Sequence, residues 1–124
     1  MRKKQEKKDF ETNFYENLLK QRPNFIQALS CLGDVYTKKG FYKKGLDIDK
    51  KLVELKPEDP IIRYNLACSF SLLKEEERAL EELKKAVLYG YDDFSYILKD
   101  EDLKNIRRHH KFGDFFRKLK RVKI

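Results

Sequence analysis

The side chains that could carry chemistry are few, and each has a plainer use. His109-His110 is the only histidine cluster; imidazole suits metal binding and proton transfer near neutral pH. Neighbours on a helix point about 100° apart, however, so the pair would need ligands from elsewhere to hold one ion. Asp100 and Asp102 could act as a paired acid and base, but at the start of a short helix the same residues cap backbone N–H groups and complement the helix dipole. Glu75-Glu76-Glu77 offers three carboxylates in a row, which fan out around a helix instead of converging. Cys31 and Cys68 lack the spacing of a metal site or a redox pair and read as buried or groove-lining thiols in a reducing compartment. No glycine-rich phosphate loop, nucleophile elbow, HExxH helix or Cys-x-x-Cys pair occurs. No reaction, metal or other cofactor has a residue to rest on, and the expectation is a protein that is not an enzyme.

Charge raises a binding function instead. The net charge is +8 over 124 residues, but it is concentrated at the ends. Residues 1–8 hold mostly Lys and Arg, and Arg107, Arg108, Lys111, Arg117, Lys118, Lys120, Arg121 and Lys123 crowd the C-terminus, while the body between is slightly acidic. A basic tail can attract nucleic acid or an anionic surface. No nucleic-acid recognition motif accompanies it, and Phe112, Phe115, Phe116 and Leu119 stand at helical spacing, as the buried face of a helix would. Nucleic acid is therefore the alternative partner and not the first. The polar stretch after Arg2-Lys3-Lys4 is unlike a signal peptide, and no apolar run approaches a membrane span, so the expected location is cytoplasmic with no membrane span.

The elements that position these residues are helices. Phe10, Phe14, Tyr15 and Leu18 mark one face of an amphipathic helix within 4–21, stopped by Arg22-Pro23. Asn24 with Gln27 has the form of a capping box for the next helix, whose apolar face is Ala28, Leu29, Leu32 and Val35-Tyr36. Lys38-Lys39-Gly40 ends it, and another helix follows from about Tyr42 to Leu55. Asp59-Pro60 pairs an N-cap residue with a first-turn proline. Tyr64, Leu66, Ala67, Phe70 and Leu73 build the helix that begins there, and the three glutamates open the next, which runs to Gly90. Beyond Asp92 the apolar pattern continues in shorter helices.

Shifting 26–57 forward by 34 residues lays Leu32 on Leu66, Gly33 on Ala67, Tyr36 on Phe70, Gly45 on Ala79 and Leu52 on Ala86. This period, with Leu29, Leu32, Gly33, Tyr36, Gly45, Leu52 and Pro57 in place, resembles the tetratricopeptide repeat. On that resemblance the chain is a single domain. Residues 1–23 form a half repeat, 24–57 and 58–91 two full repeats, and 92–124 a C-terminal helical cap over the last open face. The implied fold is all-α, a right-handed superhelix (an α-solenoid) of stacked antiparallel helix pairs. The small residues at 33, 45, 67 and 79 would sit where paired helices approach most closely.

The resemblance also implies a function: a protein–protein interaction scaffold whose concave groove takes a peptide or partner protein. The groove-facing positions of the family fall on Gln27, Ser30, Asp34 and Thr37 of the first repeat and on Tyr64, Asn65, Cys68 and Ser71 of the second. Tyr64 is the large amphipathic side chain among them, expected as an anchor. The clamp that holds a terminal carboxylate in the chaperone-binding members would fall on Ser30, Asp34, Asn65, Ser95 and Lys99. Only Asn65 and Lys99 are of suitable type, so such a tail is not the expected ligand. Phe10 and Phe14 on the half repeat are expected to leave an apolar patch open to weak self-association or to an upstream segment.

Overall fold

The computed structural model describes residues 9–122. The basic run over 1–8, the start of the helix expected from residue 4, and Lys123 lie outside the described residues. Within them the chain is all-α, with no strand. Helices α1 (Phe10–Gln21), α2 (Ile26–Lys38), α3 (Tyr42–Leu55), α4 (Pro60–Leu72) and α5 (Glu76–Leu88) are followed by α6 (Phe94–Ile97), a 3-10 turn (Glu101–Leu103), α7 (Lys104–Arg107) and α8 (Phe112–Val122). Each of the first five packs on its neighbour in chain order, and α4 and α5 then receive the 3-10 turn and α7.

The starts and stops have local causes. Asp9 caps α1 by accepting the Thr12 N–H at 2.9 Å, and Asp59 caps α4 by accepting from Ile61 and Ile62, with Pro60 at the first helical position. The capping box expected at Asn24 does not form. The Phe25 N–H donates to the Arg22 carbonyl and Phe25 itself takes the cap position, which leaves Asn24 one residue too early to reach the first turn.

The turns after α2 and α4 are built alike. Gly40 has φ +85° and Lys74 has φ +64°. The Phe41 N–H donates to the Tyr36 carbonyl, the Glu75 N–H to the Phe70 carbonyl, and the preceding N–H groups to Thr37 and Ser71. Both are paired-bond helix stops that need a left-handed residue, and one of them uses lysine where glycine would be unstrained. The turn after α5 repeats the bonding with Gly90 at φ +120°.

Small residues sit where helices meet. A Cβ added at Gly45 would come within 2.9 Å of the Thr37 hydroxyl oxygen, and one at Gly33 within 3.1 Å of the Ile48 Cγ2. Ala67 and Ala79, 34 residues further on, have no exposed surface. The main core joins Leu46, Phe70, Leu80 and Leu83 to Ile97, Leu103, Ile106, Phe112, Phe115 and Leu119 from the C-terminal segment. A second cluster of Leu29, Leu52 and Ile62, with half-buried Leu19, Ile26 and Ile48, lies toward α1. The C-terminal helices thus complete the core, and Arg107 secures them by donating to the carbonyls of Ile97 and Asp100.

Arg63 and Tyr91 both acquire partners. Arg63 pairs with Glu82 at 2.9 Å and donates to the Pro57 carbonyl; Tyr91 is buried against Tyr64. No helix among the described residues is long and apolar enough to cross a membrane.

Candidate functional site

Helix α2 carries Ser30, Gly33, Asp34 and Thr37 on one face by their three- and four-residue spacing. Together with Asn65, Cys68 and Ser69 of α4, Asp49 and Leu52 of α3 and Asp102 of the 3-10 turn, they line a crevice of about 90 Å³. Five of the eight residues expected to face a groove are therefore brought together: Ser30, Asp34 and Asn65 exposed, Thr37 half-buried and Cys68 buried. Gln27 is exposed on α2 but outside the crevice.

Tyr64 and Ser71 are elsewhere. The Tyr64 ring stacks on Tyr91 with centroids 4.2 Å apart, and its hydroxyl donates to Asp100 Oδ2 at 2.6 Å. Only 5% of it is exposed. The C-terminal segment closes over this end of α4, so the expected anchor is a core residue. Ser71 is fully buried, and its carbonyl accepts from the Asn105 amide. Of the residues on which the carboxylate clamp would fall, Ser95 and Lys99 are exposed but outside the crevice.

The crevice is acidic. Burial pushes the Asp49 carboxyl from its ordinary 3.8 up to about 6, against the opposing effect of the Ser69 hydroxyl that donates to it. Asp102 is also raised, by burial first and then by Asp100, Asp34 and Glu101. Asp34 thus acts on Asp102 across the crevice. Asp34 also meets Lys38 at 3.1 Å one turn along α2, but that pair is largely exposed, and such pairs are worth about 0–1 kcal/mol. The wall offers carboxylate oxygens, the Asn65 amide and the hydroxyls of Ser30, Thr37 and Ser69, which suits N–H donors and cations.

Asp49 and Asp102 were absent from the groove expected on sequence. A sign of Asp49 in the sequence is its helical spacing from Leu46 and Leu52, on the inward face of α3; Asp102 became visible only through the fold of the C-terminal segment.

Cys68, Asp100 and Asp102 bring three potential ligand atoms within 4.8 Å of one another. Two of the three are spent internally. Asp100 accepts from the Tyr64 hydroxyl, lies 3.7 Å from the Cys68 thiol and caps the Asp102 N–H. Burial, reinforced by Asp100, pushes the Cys68 thiol well up, which favours the form that does not ligate.

The histidines differ from the helical expectation. They lie in the turn between α7 and α8, with rings stacked at 4.5 Å instead of diverging, and the Lys111 N–H donates to His109 Nδ1. In α8, Phe112, Phe115 and Leu119 face the core, and Arg117, Lys118, Lys120 and Arg121 are exposed.

No protein-family model matches the chain. It is similar to a protein of Arabidopsis thaliana whose name describes it as chloroplastic, with 30% identity over 109 residues, an alignment that covers 84% of this chain and 32% of that protein. The chain thus spans about a third of the length of the relative it matches.

Proposed function

We propose that the chain is a non-enzymatic interaction scaffold of the tetratricopeptide type, with its helix pairs stacked as a right-handed superhelix, and that the crevice between α2 and α4 holds an extended segment of a partner protein. The repeat reading is supported by the two left-handed turns at Gly40 and Lys74, 34 residues apart with the same bonding, and by the small residues at the same spacing. The observation that carries the binding reading is the crevice itself: exposed Ser30, Asp34 and Asn65 line one opening together with Asp102. Its carboxylates select the occupant, which is a segment bearing Lys or Arg. The two free thiols, Cys31 and Cys68, fit the reducing, cytoplasmic setting proposed here; a fluorescent fusion found in plastids, where the relative's name places that protein, would replace it.

Fluorescence anisotropy with extended peptides of matched length, one Arg-rich and one Glu-rich, tests this. The Arg-rich peptide binds the wild type, and Asp34→Ala or Asn65→Ala weakens it about tenfold, equivalent to about 1.4 kcal/mol, without loss of helicity. Equal binding of the two peptides, or undiminished binding by both variants, removes the crevice as the site.

A further inference from the structure

A second surface, which shares no residue with the crevice, lies between α5 and α8. Its floor is Val87 and Leu88 from α5 and Phe115, Leu119 and Val122 from α8. The α8 residues recur at intervals of four and three, one continuous stripe of that helix. The stripe outruns what the fold can bury: Leu83 and Ala86 have no exposed surface, but Leu88 is 76% and Val122 63% exposed. The resulting groove measures about 690 Å³, enough for a few apolar side chains.

The rim is positive. Lys84, Lys111 and Lys118 border the groove against a single acid, Asp114. Their own partners are weak competitors. Lys84 and Lys111 reach Glu81 and Glu77 only at 3.8 Å on exposed surface, and Asp114, at 3.2 Å from Lys118, is shared with Arg117.

We infer that this groove docks an acidic amphipathic helix of a partner protein, with apolar side chains at i, i+3, i+4 and i+7 on the floor and Glu or Asp against the lysines. A long apolar floor between two helices suits a third helix laid into it. A second copy of this chain docked through the same face would set two positive rims against each other. Nucleic acid would satisfy the lysines but leave Leu88 and Val122 uncovered.

The test uses the full chain and a labelled synthetic peptide of about four helical turns, with Leu at the i, i+3, i+4 and i+7 positions and Glu elsewhere. A Lys-for-Glu version, vesicles rich in anionic lipid, and single-stranded DNA are run in parallel. The acidic peptide binds best. Leu88→Glu lowers its affinity about tenfold or more, and the double change Lys84→Glu with Lys111→Glu lowers it about fivefold and flattens its salt dependence. All three positions are exposed, so unchanged melting curves certify the fold. No binding at about 1 mM peptide, equal binding of the Lys version, or retention by Leu88→Glu overturns the inference. Preferential binding of vesicles or DNA that these variants abolish overturns it too, and reassigns the surface.

Discussion

Replacing Asp49 by Asn should stabilise the protein at neutral pH and not at acid pH. Asp49 is 8% exposed, and burial raises its carboxyl from 3.8 to about 6 despite the Ser69 hydroxyl. A gap of that size costs the ionised form about 3 kcal/mol in the folded state, at about 1.4 kcal/mol per tenfold. The sign follows from which form folding prefers. The folded chain binds the proton more tightly than the unfolded one, so the Asp49 contribution is fully favourable below 3.8 and is lost as pH rises through about 6. Asparagine keeps an oxygen for Ser69 and carries no charge, but its amide brings two N–H donors that need partners, at a cost of about 1 kcal/mol. The net expectation is a gain of about 2 kcal/mol at about pH 8, shrinking to zero or reversing near pH 4. Urea unfolding followed by circular dichroism at several pH values, wild type beside variant, measures it. The difference between the two curves isolates Asp49 from Asp102, which is also raised, and from Asp9 and Asp114, which are lowered. A difference that stays constant with pH, or an Asn variant less stable at about pH 8, refutes the reasoning.

Lys74→Gly should raise the melting temperature, with a gain of about 0.5–1 kcal/mol, because it removes the strain of a left-handed lysine at φ +64° while adding some unfolded-state freedom. Leucine in place of Ala67 or Ala79, both fully buried, should cost about 1–3 kcal/mol by overpacking, read as a lower denaturation midpoint. Tyr64→Phe should destabilise by about 1–3 kcal/mol by removing the donor to Asp100, while anisotropy shows the crevice binding its Arg-rich peptide as before; a loss of binding with stability intact would restore Tyr64 as an anchor.

The helices were legible wherever local chemistry decides them. Asp59-Pro60 starts α4, Gly40 and Gly90 end helices in left-handed turns, and α3 spans Tyr42–Leu55 as its periodicity implies. The capping box at Asn24 misled because the short Pro23 turn gives the cap to Phe25, one residue later. Lys74 carried no sequence sign of a positive φ, since the turn is imposed by the helices on either side. The site was half legible. The exposed residues of α2 and Asn65 follow from helical spacing, whereas the burial of Tyr64 depends on Tyr91 and Asp100, which only the path of the C-terminal segment brings to α4. No local pattern encodes that long-range closure.

The attachment of α1 has a dynamic consequence. Phe10 is 82% and Phe14 48% exposed; besides Leu19, which packs on the cluster of Leu29, Leu52 and Ile62, the helix is tied down by polar links, Asp9 with Lys39 at 2.6 Å and Glu16 with the Tyr36 hydroxyl. The Asp9–Lys39 pair weakens with salt, unlike the apolar contacts that bind α4 to α5. Helix α1 is therefore the cooperative unit that opens first, at a free energy well below that of global unfolding. Its amide hydrogens exchange fastest among those of the long helices, and added salt speeds their exchange while leaving that of α4 untouched. Each opening uncovers the side of the second core cluster on which Leu19 packs, around Leu29, so a small fraction of molecules should present a fresh apolar surface at one end.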